Sequence, residues 1–232
     1  MFLTRFHVDA RSPSGARALQ DPQRMHAIVA AATSEGAAPG ESSLLPGSAS
    51  PGRTLWRIDR DTPASPTLWV VSGRRPDLDG FAQEAGSLID GTIYASKPYE
   101  VLLNRLAAGQ VYAFRLAANA VRNGRRSPES ETTQRFGHVT SAQQLTWLQT
   151  RAERHGFSLC KSTTGEPDAV VVGHRRNTFF RQGQRVTIAL SDFMGHLEVI
   201  DTERVRRSLV SGIGHGRAYG CGLLTLAEPR RT

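Results

Sequence analysis

Three features of the sequence predict an α+β protein in which one order of strands and helices occurs twice. Residues 1–8 alternate between two faces, as a strand does. A helix start follows, because Asp21 suits the N-cap and Pro22 the first helical position. Patterns of the same two kinds return, in the same order, from residue 111 onward.

The first half of the chain contains the patterns of one complete domain. In the helix that begins at Asp21, one apolar stripe is formed by Met25, Ile28, Val29 and Ala32. The next patterns are a Gly/Ser/Pro-rich surface loop, two strands, a short helix and a strand, at 35–52, 53–59, 67–73, 78–85 and 91–96. Together they give the order β-α-β-β-α-β.

The second half repeats this order. A strand at 111–121 and a helix at 141–157 come first, and Asp201 is expected to cap a later helix. Further strands are predicted at 157–161, 168–173, 184–190, 195–200 and 223–227. We therefore predict two tandem ferredoxin-like (RRM-like, βαββαβ) domains, residues 1–97 and 98–232.

The composition excludes several classes of protein. No apolar stretch approaches the about 18 residues that a membrane span needs, and no secretory signal is expected at the start. Cys160 and Cys221 are too few for a disulfide framework or a typical zinc site. We expect a cytoplasmic protein with reduced thiols, no metal and no cofactor.

The positive charge indicates a polyanionic partner. Lys+Arg number 29 against 21 Asp+Glu, which gives a formal net charge of +8. Only Lys97 and Lys161 are lysines, and arginine binds phosphate bidentately and stacks on bases. Since a GC-rich coding bias also favours arginine, clustering is more informative than number. One cluster, Arg204, Arg206 and Arg207, also fits an ordinary polar helix face.

Two further segments concentrate arginines. The segment VRNGRRS places Arg122, Arg125 and Arg126 in a turn-like context. The segment HRRNTFFRQGQRV is expected to form a protruding β-hairpin. Its basic residues are His174, Arg175, Arg176, Arg181 and Arg185. A basic hairpin tip suits a nucleic-acid phosphate track, with Phe179 and Phe180 stacking on bases or packing at its foot; a solvated hairpin is the alternative.

The segment SGIGHGRAYGCG, Ser211 to Gly222, is the most distinctive of the chain; we call it the glycine-rich loop. Glycines let backbone N–H groups turn toward an anion, and a cation beside them can pair with phosphate. The candidates for RNA contact here are Gly212, Gly214, His215, Gly216 and Arg217. The alternative is a flexible turn before the last strand.

His26 is the candidate for proton transfer. It lies one turn into the first predicted helix, beside the apolar stripe and on a face shared with Gln23. Histidine is the side chain best able to exchange a proton at neutral pH, although a histidine at a helix edge is often structural. His7, His155 and His196 have no partner pattern and are taken as structural. No Ser-His-Asp order, Walker motif or paired carboxylates stand out, which argues against a protease, an NTPase or a two-metal nuclease.

Six motifs are spread over essentially the whole chain. They are an MxLT-type first strand, DPxxMH, FRLxAN, WL, LEVxDxE and GIGxGRAxGxGLLxL. Together they resemble the CasE-type CRISPR RNA-processing endoribonucleases. The resemblance implies two tandem ferredoxin-like domains and metal-independent cleavage of CRISPR precursor RNA at the base of the repeat hairpin. It also implies that the protein keeps the mature RNA and joins other subunits of the Cascade complex.

The resemblance implies roles for individual residues. The family histidine falls on His26, and the family's glycine-rich segment falls on the glycine-rich loop, with Arg217 where a lysine is frequent. The hairpin that grips the RNA stem falls on the region of Arg175 and Arg176. Some members carry a tyrosine three residues before the histidine, a position that Gln23 occupies here.

RNA supplies its own nucleophile, the 2′-OH next to the scissile phosphate. We expect His26 to act as general base on this hydroxyl or as general acid on the leaving 5′-oxygen. Arg24, Arg217 and loop amides would bind the phosphate, and the RNA stem would be recognised largely by shape. The alternative is a non-catalytic RNA-binding subunit with tandem RRM-like domains, although the aromatic-rich RNP1 sequence of such domains is not found.

Overall fold

Two units of the chain each contain their own antiparallel sheet. The units are Met1–Asn104 with Ala218–Gly220, and Arg105–Arg217 with Cys221–Thr232. In the computed structural model, the described residues are 1–34, 54–125, 133–181 and 183–229. The predicted surface loop at 35–52 lies outside the described residues. The predicted domain bounds, 1–97 and 98–232, stay a prediction.

The described part of the chain up to Arg105 forms four strands and four helices. They are β1 (Phe2–His7), α1 (Pro13–Gln20), α2 (Pro22–Thr33), β2 (Leu55–Asp59), β3 (Thr67–Ser72), α3 (Asp79–Ala85), β4 (Tyr94–Pro98) and α4 (Glu100–Arg105). All neighbouring strands are antiparallel, in the order β2-β3-β1-β4. A strand–helix–strand–strand–helix–strand chain with this sheet order is ferredoxin-like.

The predicted apolar patterns form the core of this unit. Phe6 of β1 is fully buried, and Met25 and Val29 of α2 are each 1% exposed. The predicted N-cap is confirmed, because the Asp21 side chain accepts a hydrogen bond from the Gln23 amide at 2.8 Å. Helix α2 is therefore fixed on the sheet by one face and capped at its start.

Two helices of this region were not predicted. Helix α1 begins at Pro13 and is capped by Ser12, whose hydroxyl accepts from the Gly15 amide at 2.9 Å. Its first residues are proline, serine and glycine, which are typical of turns and hide the helical pattern. Helix α4 has only six residues, none of them buried, so it has no apolar stripe to detect.

From residue 111 onward the described residues form seven strands and two α-helices. They are β5 (Val111–Asn119), β6 (Val121–Arg125), β7 (Thr133–Gly137), α5 (Ser141–Ala152), β8 (Phe157–Leu159), β9 (Ala169–Arg181), β10 (Gln184–Val199), α6 (Thr202–Ser211) and β11 (Leu224–Ala227). The main sheet has the order β11-β5-β10-β8, and β9 also pairs with β10. Strands β8 and β9 both pair with β10 and together occupy the position of the second strand of a βαββαβ unit. The predicted α+β class with two ferredoxin-like units is confirmed.

Strands β9 and β10 form a long hairpin. Strand β10 pairs with β5 over Leu190–Glu198 and with β9 over Gln184–Gly195. Residues 184–189 of β10, and the residues of β9 that pair with them, therefore extend past the end of β5. The predicted break within β10 is wrong: Ser191 and Asp192 interrupt the apolar pattern, but both pair with β5 on one side and β9 on the other.

A second hairpin is formed by β6 and β7, which pair with each other as a separate two-stranded sheet. Arg122, predicted in a turn, lies instead in β6. The sequence VRNGR lacks the apolar alternation of a half-buried strand, and for that reason the strand was missed.

Candidate active site and nucleic-acid interface

His26 lies in the second turn of α2, on the side away from the sheet. Met25 and Val29 are the buried residues of this helix, whereas His26 is exposed. The packing of one helix face thus leaves the imidazole accessible to a ligand, as proton transfer to or from that ligand requires.

Tyr219 lies beside His26. The two ring centroids are 6.1 Å apart, and the ring planes are tilted by 60°. Tyr219 is half-buried, ends the short 3-10 helix Arg217–Tyr219 and belongs to the first unit through Ala218–Gly220. A phenol therefore stands next to the candidate catalytic imidazole.

The position of Tyr219 is set by contacts of its two neighbours with Trp56. The indole Nε1 of Trp56 donates a hydrogen bond to the Ala218 carbonyl at 3.1 Å. Gly220 has φ 80°, and a Cβ there would lie 2.7 Å from the indole ring. Only glycine fits this position. A side chain would clash with the indole ring, and residues with a side chain rarely adopt this left-handed backbone conformation.

Position 23 holds Gln23 and not a tyrosine, and no sequence pattern indicates that Tyr219 lies beside His26. The two residues are far apart in sequence, and only the tertiary fold brings Tyr219 to α2. The available signal was an aromatic residue inside a glycine-rich segment, which does not by itself indicate a partner.

Arg24 lies on another side of α2 from His26. Residues two positions apart on a helix are separated by about 200°. Arg24 lines a cavity of about 370 Å³ together with Ile28, Asp77 and Glu84. The structure therefore does not bring Arg24 and His26 together. RNA contact by Arg24 stays a prediction, and it would involve a surface other than the one on which His26 lies.

The glycine-rich loop has a defined shape. All five of its glycines have positive φ, between 76° and 90°. The Ile213 amide donates to the Gly222 carbonyl at 2.9 Å, and the Gly222 amide donates to the Ala117 carbonyl of β5 at 2.7 Å. The loop is thus closed at its base and attached to the sheet. His215, between two of the glycines, is exposed.

Arg217 is oriented by the loop itself. Its Nε donates to the Gly214 carbonyl at 3.1 Å. Arg217 and Gly212 line a cavity of about 340 Å³ that also includes Arg154, a residue that the sequence analysis did not single out. Contact of the loop with RNA stays a prediction, and this cavity is one place where Arg217 can meet an anion.

The two arginines predicted to grip RNA on β9 differ in their surroundings. Arg175 forms a double hydrogen bond with the Asp192 carboxylate, in which Nη2 donates to Oδ1 at 3.2 Å and Nη1 donates to Oδ2. Arg176 points to the opposite face of the strand and is exposed. Arg176 therefore presents its charge to solvent, whereas Arg175 is engaged with an acid.

Arg176, Phe180 and Arg185 define an exposed side of the hairpin, which we call the hairpin face. Phe180 is 68% exposed and pairs in register with Arg185, so both project from one side. Arg176 lies four residues from Phe180 along the same strand and shares that side. Two cations with an aromatic ring between them suit phosphate contact with base stacking.

The remaining arginine predictions fall at the edges of the described structure. Arg122 is exposed in β6. Arg126 lies outside the described residues, as do the side chains of Arg125 and Arg181.

Three histidines that were taken as structural have partners within the fold. His155 Nδ1 lies 2.8 Å from Ser208 Oγ, and His196 Nδ1 lies 2.8 Å from Asp168 Oδ2. His7 is 7% exposed, and its Nδ1 lies 3.4 Å from Thr67 Oγ1. Burial lowers the pKa of His7 and of His155, and nearby arginine charges lower each further.

The described residues also bear on membrane, metal and thiol chemistry. In this part of the chain no helix has both the length and the apolar character of a membrane span. Within the same residues, no group of three or more His, Cys, Asp or Glu side chains is placed to bind a metal ion. Cys160 and Cys221 are free thiols, and burial raises the pKa of Cys221 to about 12.

Comparisons with known proteins identify the family. A family model described as CRISPR associated protein matches residues 1–228. The CRISPR-associated endoribonuclease Cse3 of Thermus thermophilus is 28% identical over 237 residues, which are 98% of this chain and 100% of the relative. The chain therefore belongs to this family of CRISPR-associated proteins.

Solved structures match over nearly the same length. Thermus thermophilus Cse3 bound to an RNA representing a pre-cleavage complex has a TM-score of 0.73 and 28% identity, with 97% of this chain and 98% of that chain covered. A chain of a CRISPR RNA-guided surveillance complex, pre-nicking, has a TM-score of 0.64 and 21% identity, with 99% and 100% covered. The second match supports the fold.

Proposed function

We propose that this protein is an endoribonuclease that cleaves CRISPR precursor RNA at the base of the repeat hairpin. The observation that carries the proposal is the match over 97% of the chain to Cse3 with an RNA representing a pre-cleavage complex. The protein would keep the mature RNA and join the other subunits of a Cascade surveillance complex. In this proposal the protein acts in the cytoplasm, as expected from the sequence.

His26 is the proposed catalytic residue. In the reaction, the 2′-oxygen forms a bond to phosphorus while the bond from phosphorus to the 5′-oxygen breaks. His26 removes the proton of the 2′-OH or donates a proton to the leaving 5′-oxygen, and water or a second side chain handles the other proton. The products are a 2′,3′-cyclic phosphate, which water hydrolyses to a 3′-phosphate in a second step where that product forms, and a 5′-OH.

The reaction needs orientation and charge stabilisation more than an added cofactor. The nucleophile belongs to the substrate, so the protein's task is to align it and to stabilise the developing negative charge. We therefore propose a metal-independent reaction. The support for RNA binding comes from the hairpin face and from Arg122, since an A-form stem is recognised mainly through its phosphates and its shape.

Incubation of the protein with a repeat hairpin RNA in EDTA, followed by mapping of the product ends, tests the proposal. One cut at the hairpin base with a 5′-OH end is expected. A 2′-deoxy nucleotide at the scissile position should block the cut, and a 2′-deoxy nucleotide two positions away is the matched control.

Each other outcome has a definite meaning. Cleavage of the substrate with the 2′-deoxy scissile nucleotide contradicts the mechanism. Activity lost in EDTA and restored by a divalent ion contradicts the metal-independent reaction. Tight binding of the hairpin without any cleavage identifies the alternative, a non-catalytic RNA-binding subunit.

A further inference from the structure

A cavity of about 340 Å³ in the second unit concentrates positive charge. It lies between the 3-10 helix that follows α5, helix α6 and the glycine-rich loop. Four arginines line it: Arg154, Arg204, Arg207 and Arg217. The other described lining residues are His155, Ser208, Ser211 and Gly212, so the described lining contains no carboxylate.

The carboxylates of α6 compensate only part of this charge, from outside the cavity. Asp201 caps the helix and forms an ion pair with Arg204, in which Arg204 Nε lies 3.0 Å from Asp201 Oδ2. Glu203 forms an ion pair with Arg206, which is not among the cavity lining. One of the four lining arginines thus has a carboxylate partner on its own helix.

Two other lining arginines are oriented by backbone carbonyls. Arg207 Nε lies 3.4 Å from the Glu203 carbonyl oxygen, and Arg217 Nε donates to the Gly214 carbonyl at 3.1 Å. A carbonyl fixes the direction of a guanidinium group without cancelling its charge. Because its described lining residues include four arginines and no carboxylate, the cavity is a cationic site in which two of the guanidinium groups are oriented.

His155 shows the direction in which these charges act on a neighbouring group. Ser208 Oγ donates to the Arg204 carbonyl of α6 at 2.8 Å and lies 2.8 Å from His155 Nδ1. Burial, and then the charges of Arg217, Arg151 and Arg154, lower the pKa of His155. A further proton is disfavoured there, and an anion in the cavity would offset the repulsion.

We propose that this cavity binds a phosphate of the RNA backbone through Arg154, Arg207 and Arg217. Guanidinium groups recognise phosphate oxygens bidentately, and the site holds three of them beside the Arg204 ion pair. The inference rests on the proposed function, which supplies the RNA. It adds a contact with the RNA backbone on elements other than the hairpin face.

The test measures binding of a repeat hairpin RNA at several salt concentrations. The double variant Arg154→Gln/Arg207→Gln is compared with Arg206→Gln, a change of the same kind on α6 at a residue outside the cavity. Each lost phosphate contact reduces the slope of log K against log salt by about 0.7 to 0.9. For the double variant we expect the slope to fall by at least this amount and binding to be about tenfold weaker. Arg206→Gln should keep the wild-type slope and affinity.

The outcomes separate this inference from the proposed function. A double variant with wild-type affinity and slope, while the wild type cleaves the RNA, overturns the cavity proposal alone. An equal loss for Arg206→Gln also overturns it, because general charge would then explain the effect. A wild type that neither binds nor cleaves the hairpin contradicts both. Should the double variant unfold in a thermal scan, wild-type affinity of both single variants overturns the proposal.

Discussion

The two units have the same sheet order but differ in the elements added to it. In the first unit, the sheet supports α2 with the exposed His26, and Tyr219 lies beside it. In the second unit, the sheet is extended by the β9–β10 hairpin, and arginines lie on the hairpin face and around one cavity. A shared scaffold does not determine function; the side chains placed on it do. The difference suggests that chemistry and RNA binding can be altered separately.

The largest expected effect comes from a change in the first unit. His26→Ala should slow cleavage by about 10²- to 10⁴-fold, because it removes a general acid or base, while hairpin binding stays unchanged. Single-turnover cleavage and equilibrium binding are measured on the same RNA. His196→Ala, which removes a histidine paired with Asp168, is the control and should cut normally. Cleavage at the wild-type rate by His26→Ala would refute the assignment.

Changes on the hairpin face should have the opposite signature. Arg176→Ala with Arg185→Ala is expected to weaken RNA binding by at least about 100-fold, since two charged hydrogen bonds are lost and each costs about 1.5–3 kcal/mol. Cleavage at saturating RNA should stay near the wild-type rate. Filter binding at several salt concentrations checks the first point, and single-turnover kinetics check the second. A loss of rate at saturation with no loss of affinity would contradict this division between the units.

Gly220 connects the fold of the first unit to its candidate site. Gly220→Ala should cost about 1–3 kcal/mol of folding free energy, because a Cβ there meets the Trp56 ring at 2.7 Å and the backbone has φ 80°. It should also slow cleavage, since Tyr219 would be displaced from His26. Gly109→Ala is the matched control, with φ 81° but nothing within 4 Å of its Cβ. Urea unfolding and cleavage rates are compared, and equal effects of the two variants would refute a role for the Trp56 contact.

The two neighbouring arginines of β9 offer a smaller contrast. Arg175→Ala leaves the Asp192 carboxylate, which is 20% exposed, without its guanidinium partner, and should cost about 1–2 kcal/mol of folding free energy. Arg176→Ala, at an exposed position, should change stability by less than about 0.5 kcal/mol but should weaken RNA binding more. Urea unfolding and RNA titration of both variants check the contrast. The reverse order in either measurement would contradict it.

The sequence predicted more of the scaffold than of the site. Alternation at Phe6 and the Asp21 cap are local patterns, so they could be identified without the fold. The contact of Tyr219 with His26 could not, because it depends on how residues far apart in sequence pack. The ion pair of Arg175 with Asp192 was missed for a related reason: strand pairing decides which of two adjacent arginines meets an acid.

The smallest effect is a pH dependence of stability that both units should share. In the first unit, burial and then the Arg5 charge lower the pKa of His7 below the ordinary histidine value of 6.5. In the second unit, burial and then the charges of Arg217, Arg151 and Arg154 lower the pKa of His155. Between the folded and unfolded pKa values the unfolded chain binds more protons, so the free energy of unfolding should fall as the pH drops below about 6.5. Urea unfolding of wild type, His7→Asn and His155→Asn across pH 5–8 measures this loss. Each variant should lose less stability in acid than the wild type, and an increase of wild-type stability toward acid pH would contradict the sign.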